Sequence, residues 1–128
     1  MFNVEKLALA IAEREGWNPL SCAPNLNGSL TYRQHNPGAL RSSPFQVGTL
    51  NGFSIFRTDF DGWNALVWDL TQKAKGNTVT GLTGESSLRD LIFKWAPASD
   101  GNAPELYTAF VCQKTGFAPT MKLKELLK

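Results

Sequence analysis

Asn3 to Pro19 reads NVEKLALAIAEREGWNP, and Val4, Ala8 and Ile11 recur in it with a helical period. The next position on that stripe is Glu15, so the apolar face ends in a carboxylate. Asn3 can cap the amides of the first turn, Glu5 sits at the favoured end of the helix dipole, and Gly16 can supply the left-handed residue that stops the helix. A glutamate on a rigid element at the edge of an apolar face is partly desolvated, which raises a carboxyl pKa and suits a general acid. On periodicity alone the plainer reading is stronger: a last-turn glutamate turned to solvent beside Arg14.

Working outward, the 128 residues predict one domain, 1–128, large enough for its own core. The formal charge of +2 is small and there is no dense basic stripe with interleaved aromatics, so nucleic acid is not implied as a partner. A slight positive bias suits an anionic polymer and is equally common in ordinary globular proteins. No apolar run is long enough to span a bilayer, and Glu5 stands where a signal peptide carries its positive segment. Cys22 and Cys112 are too few for a disulfide framework and lack ligand spacing; two free thiols are expected, with a bridge between them as the alternative. His35 is the sole histidine, which with two cysteines leaves too few ligands for a four-ligand Cys/His zinc cluster within one chain.

Asn18 to Ser29 reads as a loop. Trp17, directly after the helix, either locks the helix end or faces a ligand. In the run Tyr32 to Arg41, YRQHNPGALR, Pro37 and Gly38 fit a type II turn, and the polar residues before it can point towards the helix end. Asn36 as a turn cap and His35 as a surface side chain are the alternatives. Phe45, Val47, Leu50, Phe53, Ile55 and Phe56 among Gly48, Asn51 and Gly52 predict short antiparallel strands with a hairpin at Asn51-Gly52. Thr58 or Asp59 can cap the next helix, whose stripe runs Trp63, Leu66 with Val67, and Leu70 until Gly76. Trp63 is expected in the core, with Trp68 left open. Asp59 and Asp61 either cap that helix or turn a carboxylate to a groove. Ser87-Leu88-Arg89-Asp90 has capping-box spacing, Pro97 stops the helix it starts, and Pro104 begins another that carries Tyr107 and ends at Gly116. A final short helix is expected over Met121 to Leu127. The composite is an α+β fold, mainly helical, with a small antiparallel sheet.

AIAEREGWNP resembles the helix end of lysozyme-like lytic transglycosylases. The order of Glu15, YRQHNPGALR, and WAPASDGN (Trp95 to Asn102) with Tyr107 after it is similar to a phage and prophage family of muramidase or transglycosylase-like domains. The resemblance runs from about Asn3 to about Phe117 and departs from the usual middle block in having Gln34 and His35 in the polar run and Ala39 where Asn is common. It implies a lysozyme-like domain with its small sheet beside a saccharide cleft, and peptidoglycan glycan strands as substrate. Glu15 would be the catalytic acid for the bond between N-acetylmuramic acid and N-acetylglucosamine. Tyr32, Gln34, His35, Asn36, Asn102 and Tyr107 would contact sugars, and Arg41 would be an ion-pair partner or a contact for muropeptide carboxylates.

Glycoside cleavage commonly uses a second carboxylate, for which Asp59, Asp61 and Asp100 are the candidates. None lies in a sharp motif. A lytic transglycosylase needs none, because the muramic C6 hydroxyl attacks, and this favours that branch over hydrolysis. Neither metal nor organic cofactor is called for. With no signal peptide, the expected location is cytoplasmic until release, or virion-associated. Two other classes stay open: a catalytically weak peptidoglycan-binding or phage structural protein with the same fold, and an intracellular protein of unrelated role.

Overall fold

The computed structural model describes residues 1–17 and 29–128; most of the expected Asn18 to Ser29 loop, with Cys22, lies outside the described residues. The fold is α+β, about 52% helical with one two-stranded antiparallel sheet. In chain order come α1 (Asn3–Arg14), α2 (Leu30–Arg33), β1 (Gly48–Leu50), β2 (Phe53–Ile55), α3 (Asp59–Lys75), α4 (Leu88–Trp95) and α5 (Pro104–Thr115), with 3-10 turns at Ala98–Asp100 and Leu123–Leu127. Two units divide the chain: Ile11–Asp69, and Met1–Ala10 together with Leu70–Lys128. The helices α1 and α3 each contribute residues to both.

In the Ile11–Asp69 unit, α1 closes with a Schellman motif. The Trp17 amide donates to the Ala12 carbonyl at 3.0 Å and the Gly16 amide to Glu13 at 3.1 Å, with Gly16 at φ 78°. This makes Glu15 the C-cap residue. Asn51 and Gly52 both take positive φ, 53° and 81°, as a type I′ turn requires, and pair Leu50 with Phe53. The hairpin's buried face is carried by Ser54 and Phe56, while Phe53 and Ile55 on the other face are half-exposed. Thr58, rather than Asp59, caps α3, its hydroxyl accepting from the Asp61 amide at 3.1 Å. Trp63, expected in the core, is only half-buried, and it packs edge-on against Trp17. Trp68 is 41% exposed and meets the ring of Phe45.

The Pro37-Gly38 turn forms, with the Ala39 amide donating to the Asn36 carbonyl at 3.1 Å, but it is not type II. Positive φ falls on Ala39 (51°) and His35 (55°), not on Gly38. At 38 the glycine makes room for Leu66: a Cβ there would lie 2.6 Å from Leu66 Cδ1 and require that side chain to shift. Gly62 is tighter still, since its Cβ would stand 1.8 Å from the His35 carbonyl oxygen.

In the other unit, α4 packs on α5 around Leu88, Leu91, Ile92 and Val111. Ser87 and Asp90 form the expected reciprocal capping box. Pro104 occupies the first turn of α5, and Gly116 ends it at φ 78°. Cys112 is a free, half-buried thiol, while its alternative bridging partner Cys22 lies outside the described residues; burial pushes the Cys112 pKa up. Asn3 is not the cap of α1. The carbonyl of Phe2 fills that role, and the Asn3 side chain is drawn instead to the Glu125 carbonyl at 2.9 Å. The last helix is a 3-10 turn that begins only at Leu123, because Met121, Leu123 and Lys124 are held by backbone bonds to the Gly84–Leu88 segment. Those bonds bring Lys122 and Lys124 to Glu85, at 2.6 and 3.0 Å. Among the described residues, no helix is long and apolar enough to cross a membrane.

Gly62→Ala should lower the unfolding temperature by roughly 5–10 °C, as a backbone clash worth about 2 kcal/mol would. Gly48→Ala, whose Cβ meets nothing within 4 Å, should leave it nearly unchanged in the same thermal scan. The hydrogen bond from Lys122, then that from Lys124, hold the Glu85 carboxyl down at about 2. A depressed carboxyl contributes stability that is present above its unfolded pKa and lost as pH falls through its folded one. Both partners are exposed, so the contribution is screened and small. Side-chain NMR titration should place the Glu85 midpoint near 2, and Lys122→Ala should move it up towards the ordinary carboxylate range of about 4.3.

Candidate active site

Glu15 lines an open cleft of about 270 Å³ together with Ser29, Leu30, Thr31, Gln34, Ala39 and Phe53, all within the Ile11–Asp69 unit. Each wall has a local cause. Ser29 caps α2 by accepting from the Tyr32 amide at 3.3 Å, which puts Ser29, Leu30 and Thr31 on one short turn. Gln34 is the C-cap of α2; its own carbonyl accepts from the Phe56 amide at 3.0 Å, tying the turn to the hairpin. Phe53 reaches the cleft because Ser54 and Phe56 take the buried face of β2, leaving the phenylalanine on the other.

In the same unit the polar run is organised by Asn36, which is 1% exposed. Its Nδ2 donates to the carbonyls of Leu40 (2.9 Å) and Ser54 (3.0 Å), and its Oδ1 accepts from the Leu40 amide at 2.9 Å. The Ser54 hydroxyl is satisfied by Gln46 at 2.7 Å. Asn36 therefore acts as scaffold, with its polar groups committed to the main chain. The left-handed residues His35 and Ala39 flank it, and Ala39 bears about 1–2 kcal/mol of backbone strain that an asparagine would tolerate better.

The remaining candidates sort by contact. His35 Nδ1 lies 2.6 Å from Asp59 Oδ1, joining the polar turn to the start of α3. Tyr32 packs on Trp17 with centroids 5.2 Å apart, and Trp17 on Trp63 at 5.5 Å. The indole N–H of Trp17 is buried without an acceptor among the described residues. Asp61 sits half-buried in the first turn of α3. Of the residues the sequence proposed, Glu15 and Gln34 line the cleft, whereas Tyr32, His35, Asn36, Asp59 and Asp61 belong to the same unit without lining it.

Asn102, Tyr107 and Asp100 belong to the other unit. Tyr107 is 3% exposed in α5, and the Asn102 amide is turned to the Pro97 carbonyl at 3.4 Å. Among the described residues, no three His, Cys, Asp or Glu side chains converge as a metal-ligand set.

Sequence reasoning missed Ser29, Leu30, Thr31, Ala39 and Phe53 as lining residues. The capping serine before Leu30 was a readable signal, but with tyrosine at the third helical position it lacks the Glu or Gln of a capping box. A glycine in the first turn of α3, at Gly62, was a second signal of close backbone approach.

Asn36→Ala would leave the Leu40 amide and the Ser54 carbonyl without partners in a buried place. It should cost about 2–4 kcal/mol, read as a lower urea midpoint with little change in slope. Compared with protein-family models, with curated proteins and with solved structures, the chain finds no match in any of the three.

Proposed function

We propose that the protein cleaves peptidoglycan glycan strands between N-acetylmuramic acid and N-acetylglucosamine, with Glu15 as general acid and then base, on a lysozyme-like scaffold. One observation carries this reading: a glutamate at a rigid helix end opens onto a cleft whose other walls mix hydroxyl and amide groups with an aromatic ring. Sugars present both C–H faces and hydroxyl edges, and the lining residues include polar partners in Ser29, Thr31 and Gln34 and apolar ones in Leu30 and Phe53.

In the proposed reaction the Glu15 carboxyl gives its proton to the glycosidic oxygen as the C1–O bond breaks, and N-acetylglucosamine leaves with a free 4-hydroxyl. The resulting carboxylate takes the proton from the muramic C6 hydroxyl as O6 bonds to C1. The product is a 1,6-anhydro sugar; no water is consumed, and Glu15 returns to its acid form. Glu15 is the one carboxylate among the described residues that line the cleft, which supports this internal route over hydrolysis with a second carboxylate. Of the other candidate carboxylates, Asp59 is engaged by His35.

Purified peptidoglycan incubated with the protein should release anhydromuropeptides, identified by mass spectrometry. Glu15→Gln keeps the shape but has no proton to give, and should reduce release by at least about 10²-fold. Reducing-end products would indicate hydrolysis. Unchanged turnover in the variant would remove Glu15 from the mechanism, and no products from wild type, where a known lysozyme digests the sample, would favour a binding or structural role.

A further inference from the structure

Among the described residues, four cations lie over aromatic rings: Arg41 over Phe53, Lys73 over Trp95, Arg89 over Phe93, and Lys114 over Phe110. They are not equivalent. Arg89 is also paired with Glu105, and Lys73 and Lys114 have interactions beyond their rings. The guanidinium of Arg41 sits 4.9 Å from the centroid of Phe53 and has no carboxylate within ion-pair distance among the described residues. An ion-pair partner, one of the two roles expected for it, is therefore not what holds it.

Its position is nonetheless defined. Leu40, the residue before it, is pinned by Asn36 and accepts from the Ser54 amide at 2.8 Å. On its other side the guanidinium lies beside Gly52 of the hairpin turn, 3.7 Å from where a Cβ would stand. A guanidinium drawn to a ring keeps its N–H fork, and that fork, with no carboxylate paired to it among the described residues, matches the geometry of a carboxylate. The ring it rests on is the one that lines the Glu15 cleft.

From this geometry we infer that Arg41 is a carboxylate-recognition site at the Phe53 wall, selecting glycans whose muramic residues carry free carboxylates over neutral glycans of the same length. The inference rests on the glycan-cleaving reading of the cleft and adds its charge specificity. It assigns Arg41 to binding, with no part in proton transfer.

The test is calorimetric binding in the Glu15→Gln background, which stops turnover on the proposed mechanism. The probes are a muramic-acid-containing tetrasaccharide with free lactyl carboxylates and the same tetrasaccharide with those carboxylates amidated. The acidic probe should bind at least about fivefold more tightly, as expected for a charge-assisted hydrogen-bonded pair. Adding Arg41→Gln should abolish the preference while leaving affinity for the amidated probe unchanged, and Arg41→Lys should retain part of it. Because Arg41 is exposed, both variants should unfold within about 2 °C of their parent. A preference that survives Arg41→Gln, or equal binding of the two probes, overturns the inference and leaves the cleft reading standing. Binding of neither probe overturns both.

Discussion

The side-chain amide of Asn36 makes three hydrogen bonds in a place that water does not reach, to both main-chain groups of Leu40 and to the carbonyl of Ser54. An isolated two-stranded hairpin is marginal in water, and three residues per strand give β1 and β2 little to hold them. What fixes the hairpin is its attachment to the polar turn: Asn36 to Ser54, the Ser54 amide to Leu40, and the Phe56 amide to Gln34. Because buried polar groups are costly when unpaired, this network specifies one register rather than merely adding attraction.

That register decides what faces the cleft. Hydrophobicity alone would turn Phe53 and Ile55 inward, since they alternate with a serine. The chain does the reverse, and a fully buried Ser54 is tolerated because Gln46 and the turn satisfy its hydroxyl and both main-chain groups. Phe53 is thereby released to line the cleft and to carry Arg41 on its ring. The close approach of Gly62 to the His35 carbonyl and of Gly38 to Leu66 lets α3 lie directly against the same turn.

Much of the local structure was legible because it rests on chemistry that one or two residues determine. Gly16, Asn51-Gly52, the Ser87 capping box, Pro104 and Gly116 all act where the sequence puts them. The misreadings came where tertiary contacts overrode local preference. Asn3 was drawn to Glu125 rather than to its own helix, and Met121 to a backbone pairing with Leu88 rather than into a helix. Gly38 invited a type II turn, yet its glycine answers to Leu66 and the positive φ passed to Ala39. For the candidate site, the place of Glu15 at a helix end was readable from a 3.6-residue stripe. The wall residues were not, because which face of a three-residue strand is buried depends on partners elsewhere in the chain.

Ala39 makes the link between scaffold and cleft concrete. Its left-handed backbone is costly for an alanine, and the cost is borne at a position lining the cleft, between the Asn36 network on one side and Leu40 on the other. Strain of this kind persists only where the surroundings over-determine the conformation, which the Asn36 bonds do. The same rigidity bears on the charge arrangement. His35, the other left-handed residue, engages Asp59 across to α3, leaving Glu15 as the carboxylate that lines the cleft among the described residues. On the proposed reading a single acid must therefore both give and take the proton. The muramic C6 hydroxyl, carried by the substrate itself, meets that requirement directly, so a rigid cleft that holds the sugar in one pose would do the work that a second carboxylate does elsewhere.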